Sequence, residues 1–213
     1  MSLIDSLIQG GWIKTDLVKE AFKKIKREDF LPEELKNLAE INEALPIGHG
    51  QTISQPLVVA FMLEQLQPKS GEKILDVGSG SGWTTALLAQ IVSGESTASQ
   101  GRVIAVEIVP ELKEFGERNV AKYSFIKKGI VKFLMADGSK GLIKEAPFDK
   151  IIASASTDSI PAAWKEQLRV GGKIVAPIGS SIKTILKKSE TEFEEIDHPG
   201  FVFVPLIKKT QDE

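Results

Sequence analysis

The spacing of apolar residues changes near residue 73, from helical intervals to short continuous runs. Within residues 15–27 apolar positions recur every three or four residues, which predicts an amphipathic helix. The lysines between them are interpreted as the solvated face of this helix rather than as a binding patch. Phe30-Leu31-Pro32 is expected to end the helix, and a short helix is expected within residues 33–43. The apolar positions are Leu17, Val18, Ala21, Phe22 and Ile25.

From residue 73 onward, short apolar runs alternate with helical segments. Strands are predicted at Lys73–Val77, Arg102–Glu107, 130–135, Phe148–Ala153 and 173–176, and helices at Trp83–Val92, 110–122 and 161–168. This alternation predicts a mostly parallel sheet with helices on both faces. Three further runs, 182–188, 193–196 and 201–207, have no helix between them and predict an antiparallel C-terminal part. The polar, glycine-rich stretch 93–101 is expected to be an exposed, lengthened loop.

Length and composition favour one domain. The 213 residues, 42% of them hydrophobic, are expected to form a single domain in three parts: a helical segment 1–70, an α/β core 71–180 and C-terminal strands 181–213. A net charge of −2 gives no reason to expect a nucleic-acid or membrane partner. The absence of cysteine excludes disulfides and thiolate metal ligands, and we predict no metal site. With no signal peptide or membrane span recognised, a cytoplasmic monomer or weak oligomer is expected.

A glycine-rich loop follows the first predicted strand directly. Gly78, Gly80 and Gly82 occupy every second position of Gly78-Ser79-Gly80-Ser81-Gly82, so the backbone can turn sharply and approach a ligand closely. The N–H groups at the start of the next helix favour a negatively charged or polar ligand. These features suit either a dinucleotide or S-adenosylmethionine.

The flanking residues distinguish the two ligands. Trp83 occupies the place of the last glycine in the dinucleotide pattern G-x-G-x-x-G. Asp76 would be unfavourable beside a pyrophosphate, but it suits the ammonium of S-adenosylmethionine, directly or through water. Glu107, at the end of the next strand, is placed to accept both ribose hydroxyls, and Asp137 to accept from the adenine amino group. The carboxyl ends of successive strands meet where open sheets bind ligands, so we predict one cofactor site there.

Several motifs resemble the protein-L-isoaspartate O-methyltransferase family. The resemblance covers nearly the whole chain, and residues 44–56, which contain Gly50-Gln51-Thr52-Ile53-Ser54, are far more specific than the glycine loop. The other motifs are Arg27-Glu28-Asp29-Phe30-Leu31-Pro32, Ala136-Asp137-Gly138, Ala146-Pro147-Phe148-Asp149, Leu168-Arg169-Val170-Gly171-Gly172-Lys173 and Phe203-Val204-Pro205-Leu206. The implied fold is α/β, Rossmann-like and of the class I S-adenosylmethionine-dependent methyltransferases, with a mostly parallel sheet, helices on both faces and an antiparallel C-terminal part.

The resemblance implies repair of damaged proteins. Such enzymes methylate the side carboxylate of isoaspartyl residues, and the ester then collapses to a succinimide that returns part of the material to normal aspartate. Isoaspartate-containing proteins and peptides are therefore the expected partners. Ser54 is expected to contact and orient the acceptor carboxylate, and Gly138 to join the cofactor site. Gln51, Thr52, Ile53 and Leu57 are the expected substrate-binding residues.

Ser54 also has a second interpretation from the residue alone. It lies two positions before Pro56, ahead of an apolar run, where a serine can cap a helix N-terminus. The resemblance favours the acceptor role, and the two roles can coexist. His49 is interpreted as a structural or substrate-side residue, because it lacks a partner at catalytic spacing.

Some positions depart from the commoner family pattern and leave the acceptor open. Two alternatives are therefore kept: a methyltransferase acting on another carboxylate or a small acceptor, and a non-catalytic module that only binds the cofactor and proteins. The departures at the acceptor wall are Leu57, Val59, Ser154, Ser156 and Val202.

Overall fold

A computed structural model describes residues 1–94 and 100–207. The helices are α1 (Leu3–Gln9), α2 (Asp16–Lys24), α3 (Pro56–Leu66), α4 (Trp83–Val92), α5 (Pro110–Ala121) and α6 (Ala162–Gln167). The strands are β1 (Leu45–Gly48), β2 (Gln51–Ile53), β3 (Lys73–Val77), β4 (Arg102–Glu107), β5 (Val131–Met135), β6 (Phe148–Ala153), β7 (Leu168–Ile178), β8 (Ser181–Lys187) and β9 (Phe193–Pro199). Short 3-10 helices lie at Arg27–Phe30, Glu33–Leu38, Gly138–Lys140 and Ile143–Glu145.

The central sheet has seven strands in the order β5-β4-β3-β6-β7-β8-β9. Strands β3 to β7 run parallel, whereas β8 and β9 continue the sheet as antiparallel neighbours of β7. From β3 the chain moves outward through β4 and β5, then returns to the other side of β3 with β6. The direction of winding therefore reverses beside β3, where open α/β sheets form a crevice at the carboxyl ends of their strands.

Helices cover both faces of this sheet. Ile74 and Val103 belong to one apolar cluster, which also contains buried residues of α2, α3, α4 and α5. Leu75 and Ile104 project to the opposite face and pack in a second cluster around Trp164 of α6. Because residues of α2 and α3 join the first cluster, the segment before residue 70 packs directly on the sheet.

The predicted fold class is confirmed, and several predicted elements have the observed bounds. Strands β3, β4 and β6 and helix α4 begin and end at the predicted residues. The first long helix is shorter than predicted: it ends at Lys24, and Arg27–Phe30 continues as a separate 3-10 turn. The predicted loop at 93–101 lies partly outside the described residues. The division into domain parts stays a prediction.

The predicted strand at 201–207 is wrong. Residues 201–207, here named the C-terminal strap, turn away from β9 because the N–H groups of Gly200 and Phe201 both donate to the Ser180 carbonyl, at 3.0 and 3.0 Å. The strap then pairs with a single residue, Ser156, as an isolated bridge to Pro205. The Ser156 N–H donates to the Val204 carbonyl and the Leu206 N–H donates to the Ser156 carbonyl, at 2.8 and 2.7 Å, and the described residues extend this pairing no further.

One close approach between backbones sets the position of the glycine loop against α5. A Cβ added to Gly116 in α5 would lie 2.6 Å from the Gly80 carbonyl oxygen. A Cβ added to Gly82, whose φ is +84°, would in turn lie 2.8 Å from the Gly116 carbonyl oxygen. Only glycines therefore fit on both sides of this contact.

Membrane insertion is not indicated by the helices. Within residues 1–94 and 100–207, every helix is too short or too polar to cross a bilayer.

Replacing Gly116 by alanine is expected to destabilise the fold by about 1–3 kcal/mol, the usual cost of overpacking. The loss should occur although alanine favours a helix by about 1 kcal/mol over glycine. Chemical denaturation checks this, with Glu114→Ala on the exposed side of the same helix as the matched control, expected within about 0.5 kcal/mol of wild type. A Gly116→Ala protein as stable as wild type would contradict the close approach.

Candidate active site

A cleft opens at the carboxyl ends of β3, β4 and β6, beside the point where the winding of the sheet reverses. It holds about 700 Å³ of space, part of it open solvent. Its lining combines the glycine loop with residues that follow β4, β5 and β6. The predicted cofactor residues in this lining are Gly78, Ser79, Gly80, Glu107 and Gly138.

The glycine loop is fastened to the end of β4. The N–H groups of Gly78 and Ser79 both donate to the Val106 carbonyl, at 2.9 and 3.1 Å. The next N–H that the loop offers, on Gly80, donates to Glu107 Oε2 at 2.9 Å. Gly82 then occupies the N-cap position of α4 in a left-handed conformation. The loop that would face a cofactor is thus held by the strand that supplies Glu107.

Glu107 is buried and already accepts three backbone hydrogen bonds. Its Oε1 accepts from the N–H groups of Ile108 and Val109 at 2.8 and 3.1 Å, and Oε2 accepts from Gly80. A carboxylate oxygen has about two acceptor sites, so Oε2 retains one and Oε1 is filled. Glu107 therefore can accept one ribose hydroxyl as it stands, and a second only if a backbone N–H gives way.

Asp76 lies fully buried in β3, and the lining that the described residues form around the cleft leaves it out. Its Oδ2 accepts from the Thr85 hydroxyl at 2.6 Å, whereas Oδ1 has no hydrogen-bond partner among the described residues. Burial raises the pKa of Asp76 to about 7; the Thr85 hydrogen bond opposes this shift and the negative charge of Glu107 adds to it. A cationic ligand would relieve this cost, which suits the predicted ammonium partner.

The Asp137 carboxylate already binds the turn that follows it in the chain. Its Oδ1 accepts from the N–H and the hydroxyl of Ser139 at 3.0 and 2.7 Å, which caps the 3-10 turn that follows. Its neighbours in sequence, Ala136 and Gly138, line the cleft. Gly138 must be a glycine, because an added Cβ would lie 2.5 Å from Val77 Cγ1. The adenine-binding role of Asp137 stays a prediction.

The GQTIS motif lies on a hairpin that sequence reasoning did not anticipate. Strands β1 and β2 pair antiparallel around His49 and Gly50, whose φ angles of 52° and 69° are those of a tight type I′ turn. His49 is therefore a turn residue. The interpretation of Ser54 as a helix cap is wrong, because α3 begins at Pro56 with Gln55 as its N-cap.

Ser54 lies between two cavities. It lines the cleft and also an adjoining groove, whose walls are mostly apolar. Gln51, Thr52 and Ile53 line the cleft as well, and Thr52 is shared with the groove. The groove's further residues are Ala44, Gln55, Val58, Ser154, Val202, Phe203 and Val204.

The expected departures at the acceptor wall separate into two groups. Ser154 and Val202 line the groove, and Val202 is 91% exposed. Leu57 lies outside the lining that the described residues form around either cavity, and Val59 is buried in the apolar core. Ser156 instead pairs with the C-terminal strap, donating its N–H to Val204 at 2.8 Å.

Sequence reasoning missed the contribution of the C-terminal strap to the cleft. Val204, Pro205, Leu206 and Ile207 line it opposite the glycine loop, held by Ser156. Two signals pointed to this segment: the match of Phe203-Val204-Pro205-Leu206 to a family motif, and the departure from the family pattern at Val202. Ser154 was predicted at the acceptor wall; it directly follows β6, at the edge where β3 and β4 also end, and it lines both cavities.

Within residues 1–94 and 100–207, no three His, Cys, Asp or Glu side chains form a group able to hold a metal ion.

Comparison with known proteins gives one consistent family. The family model for protein-L-isoaspartate(D-aspartate) O-methyltransferase matches residues 1–211. A protein-L-isoaspartate O-methyltransferase from Methanopyrus kandleri is 41% identical over 209 residues, which cover 96% of this chain and 89% of the relative. One from Hyperthermus butylicus is 39% identical over 211 residues, covering 96% and 87%.

Solved structures agree with these relatives. A Plasmodium falciparum protein described as a protein-L-isoaspartate O-methyltransferase, crystallised with S-adenosyl-L-homocysteine, superposes with a TM-score of 0.87 at 26% identity. The superposition covers 97% of each chain.

The buried carboxyl of Asp76 makes a testable contribution to the pH dependence of stability. Its pKa is about 7 when folded and near 4 when unfolded, so the folded state binds more protons between these values. The stabilisation is complete below about pH 4 and is lost as pH rises through 7, by at most about 4 kcal/mol. Relative to Asp76→Asn, the wild type should therefore lose free energy of unfolding from pH 4 to 8.

Denaturant titrations of both proteins at several pH values measure this difference. Thr85→Val removes the hydrogen bond that lowers the Asp76 pKa, so it should extend the decline to higher pH. Parallel stability curves for wild type and Asp76→Asn would contradict the raised pKa.

Proposed function

The chain belongs to the protein-L-isoaspartate(D-aspartate) O-methyltransferase family, and we propose that it methylates the side carboxylate of L-isoaspartyl residues in damaged proteins, with Ser54 orienting that carboxylate. The methyl ester would then collapse to a succinimide, from which part of the material returns to normal aspartate. The enzyme is an S-adenosylmethionine-dependent protein carboxyl O-methyltransferase.

The reaction requires little proton transfer by the protein's side chains. When bound, S-adenosylmethionine supplies a sulfonium methyl group, which passes to a carboxylate oxygen as the carbon–sulfur bond breaks and S-adenosylhomocysteine is released. The acceptor, with an ordinary pKa near 4, is already ionised at neutral pH and needs no general base. The chain's own task is to bind both reactants, exclude water and align the acceptor oxygen with the methyl group, an orientation effect worth several kcal/mol.

The observation that carries the proposal is the position of Ser54 at the junction of the two cavities. Four residues line both the cleft and the groove: Thr52, Ser54, Ser154 and Val204. A cofactor in the cleft and an acceptor peptide in the groove would therefore meet beside the Ser54 hydroxyl. A serine hydroxyl can donate to a carboxylate oxygen without taking its charge away, so it can fix the orientation of the acceptor and leave it nucleophilic.

The cleft itself suits S-adenosylmethionine. Glu107 Oε2 retains an acceptor site for a ribose hydroxyl. The Asp76 carboxyl is buried behind the cleft lining, where its negative charge would favour an ammonium in the cleft. Gly78, Gly80 and Gly138 leave the backbone bare along the cleft, which permits close approach of the ligand. We propose that Ser79 and Gly82 complete this site through the shape of the loop.

The groove suits a peptide acceptor. Ala44, Val58 and Phe203 give it apolar walls, and Gln51 and Ile53 form the neighbouring wall of the cleft. A monomeric or weakly oligomeric state in the cytoplasm, without a nucleic-acid partner, stays a prediction.

A matched pair of peptides tests the proposed acceptor. Two synthetic peptides of one sequence, one with L-isoaspartate and one with L-aspartate, are incubated with the protein and S-adenosylmethionine labelled in the methyl group. Base-labile label is expected in the isoaspartyl peptide and not in its aspartyl twin. Equal labelling of the two would indicate a less specific carboxyl methyltransferase, and labelling of neither would contradict the proposal.

Mutations on the two sides of the site should affect turnover and cofactor affinity separately. Ser54→Ala is expected to lower turnover by about 10²-fold through misorientation, while the dissociation constant for S-adenosylmethionine changes by less than about twofold. Glu107→Ala should weaken cofactor binding by about tenfold or more, because a hydrogen bond to a charged acceptor is worth ~1.5–3 kcal/mol. Calorimetry and initial rates measure both quantities. A large loss of cofactor affinity in Ser54→Ala, or unchanged affinity in Glu107→Ala, would contradict the respective assignment.

A further inference from the structure

Arg27 is a buried cation whose hydrogen bonds all go to backbone carbonyls of the segment that leads to Ser54. Nη1 donates to the carbonyls of Ala39 and Ile41, at 3.2 and 2.9 Å. Nη2 donates to the carbonyls of Glu43 and Ser54, at 2.7 and 3.3 Å. One side chain therefore joins four points of a stretch that includes the hairpin β1–β2.

The same guanidinium also contacts the cofactor side of the site. Its central carbon lies 5.4 Å from the centroid of the Trp83 ring, in cation–π geometry. Trp83 is the first residue of α4 and lines the cleft directly after the glycine loop. Arg27 thus lies between the element that carries Ser54 and the helix that follows the cofactor loop.

The chemistry of these contacts requires arginine. Burial lowers the pKa of Arg27 to about 10, and Glu40 opposes this shift, so the side chain remains charged at neutral pH. A guanidinium offers five N–H donors in one plane, which lets it reach several carbonyls at once. A lysine ammonium has three donors on a single atom and cannot span the same points. Burying a charge is costly, and packing alone would be served as well by an apolar side chain.

We propose that Arg27 is a positioning residue for the acceptor: it holds the Ser54 backbone and the hairpin in register with the cofactor loop. This inference rests on the proposed function, in which the Ser54 hydroxyl orients the acceptor carboxylate. Arg27 acts through the Ser54 main chain. The hydrogen bonds of the glycine loop go to Val106 and Glu107, so the conformation of that loop does not depend on Arg27.

Arg27→Lys tests the proposal, since it keeps the positive charge above Trp83 and removes the multiple carbonyl contacts. We expect KM for an isoaspartyl peptide to rise about tenfold or more, and the dissociation constant for S-adenosylmethionine to change less than about twofold. An unchanged KM, or equal losses of peptide and cofactor affinity, would overturn the proposal.

Tyr123→Phe is the matched control. The Tyr123 hydroxyl accepts from the Lys26 N–H at 2.8 Å and donates to Asp29 at 2.6 Å. It therefore stabilises the short segment that carries Arg27, residues 26–29, without contacting the carbonyls that Arg27 binds. Its loss should lower the melting temperature and leave KM for the peptide within about twofold of wild type. If Tyr123→Phe raised KM as much as Arg27→Lys does, general loosening would explain both, and the proposal would fail.

A second variant covers the case in which Arg27→Lys does not fold. Asn42 lies within the clamped segment, and its side chain accepts from the Leu57 N–H at 2.9 Å, outside the contacts of Arg27. Asn42→Ala should loosen the same element and raise KM for the peptide, with cofactor binding kept. An unchanged KM there would overturn the proposal.

A measurement without an acceptor separates this inference from the proposed function. Hydrogen exchange of amides in residues 39–54 should be faster in Arg27→Lys than in wild type, and amides of the glycine loop should be unchanged. Failure of the wild type to methylate the isoaspartyl peptide would refute the proposed function alone. Unchanged exchange in residues 39–54 would refute the role of Arg27 alone.

Discussion

The end of β4 is the constraint on which the cofactor side of the molecule depends. Two acceptors there, the Val106 carbonyl and the Glu107 carboxylate, take the N–H groups of Gly78, Ser79 and Gly80. A loop with three glycines has many conformations, and these hydrogen bonds select one of them. Because β4 is itself a buried parallel strand, these hydrogen bonds fix the loop to the sheet.

The proposed acceptor side of the site is held by other contacts than the glycine loop. The hairpin β1–β2 is a separate two-stranded sheet, and among the described residues no strand of the central sheet pairs with it. Its buried residues Leu45, Ile47 and Ile53 pack in the apolar cluster on one face of the central sheet. Arg27 and Asn42 add hydrogen bonds to backbone groups of the same segment and of the start of α3. The C-terminal strap is held by hydrogen bonds to Ser180 and Ser156 and by stacking of Phe201 on Phe61. The proposed acceptor site is thus assembled from segments outside the central sheet, whereas the proposed cofactor site lies on the sheet itself.

Sequence reasoning succeeded where structure follows from local pattern. The apolar runs of β3, β4 and β6, and the apolar helix after the glycine loop, specify their own bounds. It failed where a distant partner decides the structure. The apolar residues 201–207 looked like a strand, yet they turn away from β9 at Ser180 and form only an isolated bridge, between Pro205 and Ser156. Proximity to a motif likewise placed Leu57 at the acceptor wall, although the helical turn after Pro56 carries it elsewhere.

The sharing of lining residues between cleft and groove has a consequence for how this family can diverge. Thr52, Ser54, Ser154 and Val204 line both cavities, so on the proposed assignment a substitution there would alter the contacts of cofactor and acceptor together. Ala44, Val58, Val202 and Phe203 line the groove and are outside the lining that the described residues form around the cleft. On the same assignment, substitutions at these outer positions would change which damaged proteins are recognised and leave the contacts of the methyl donor as they are.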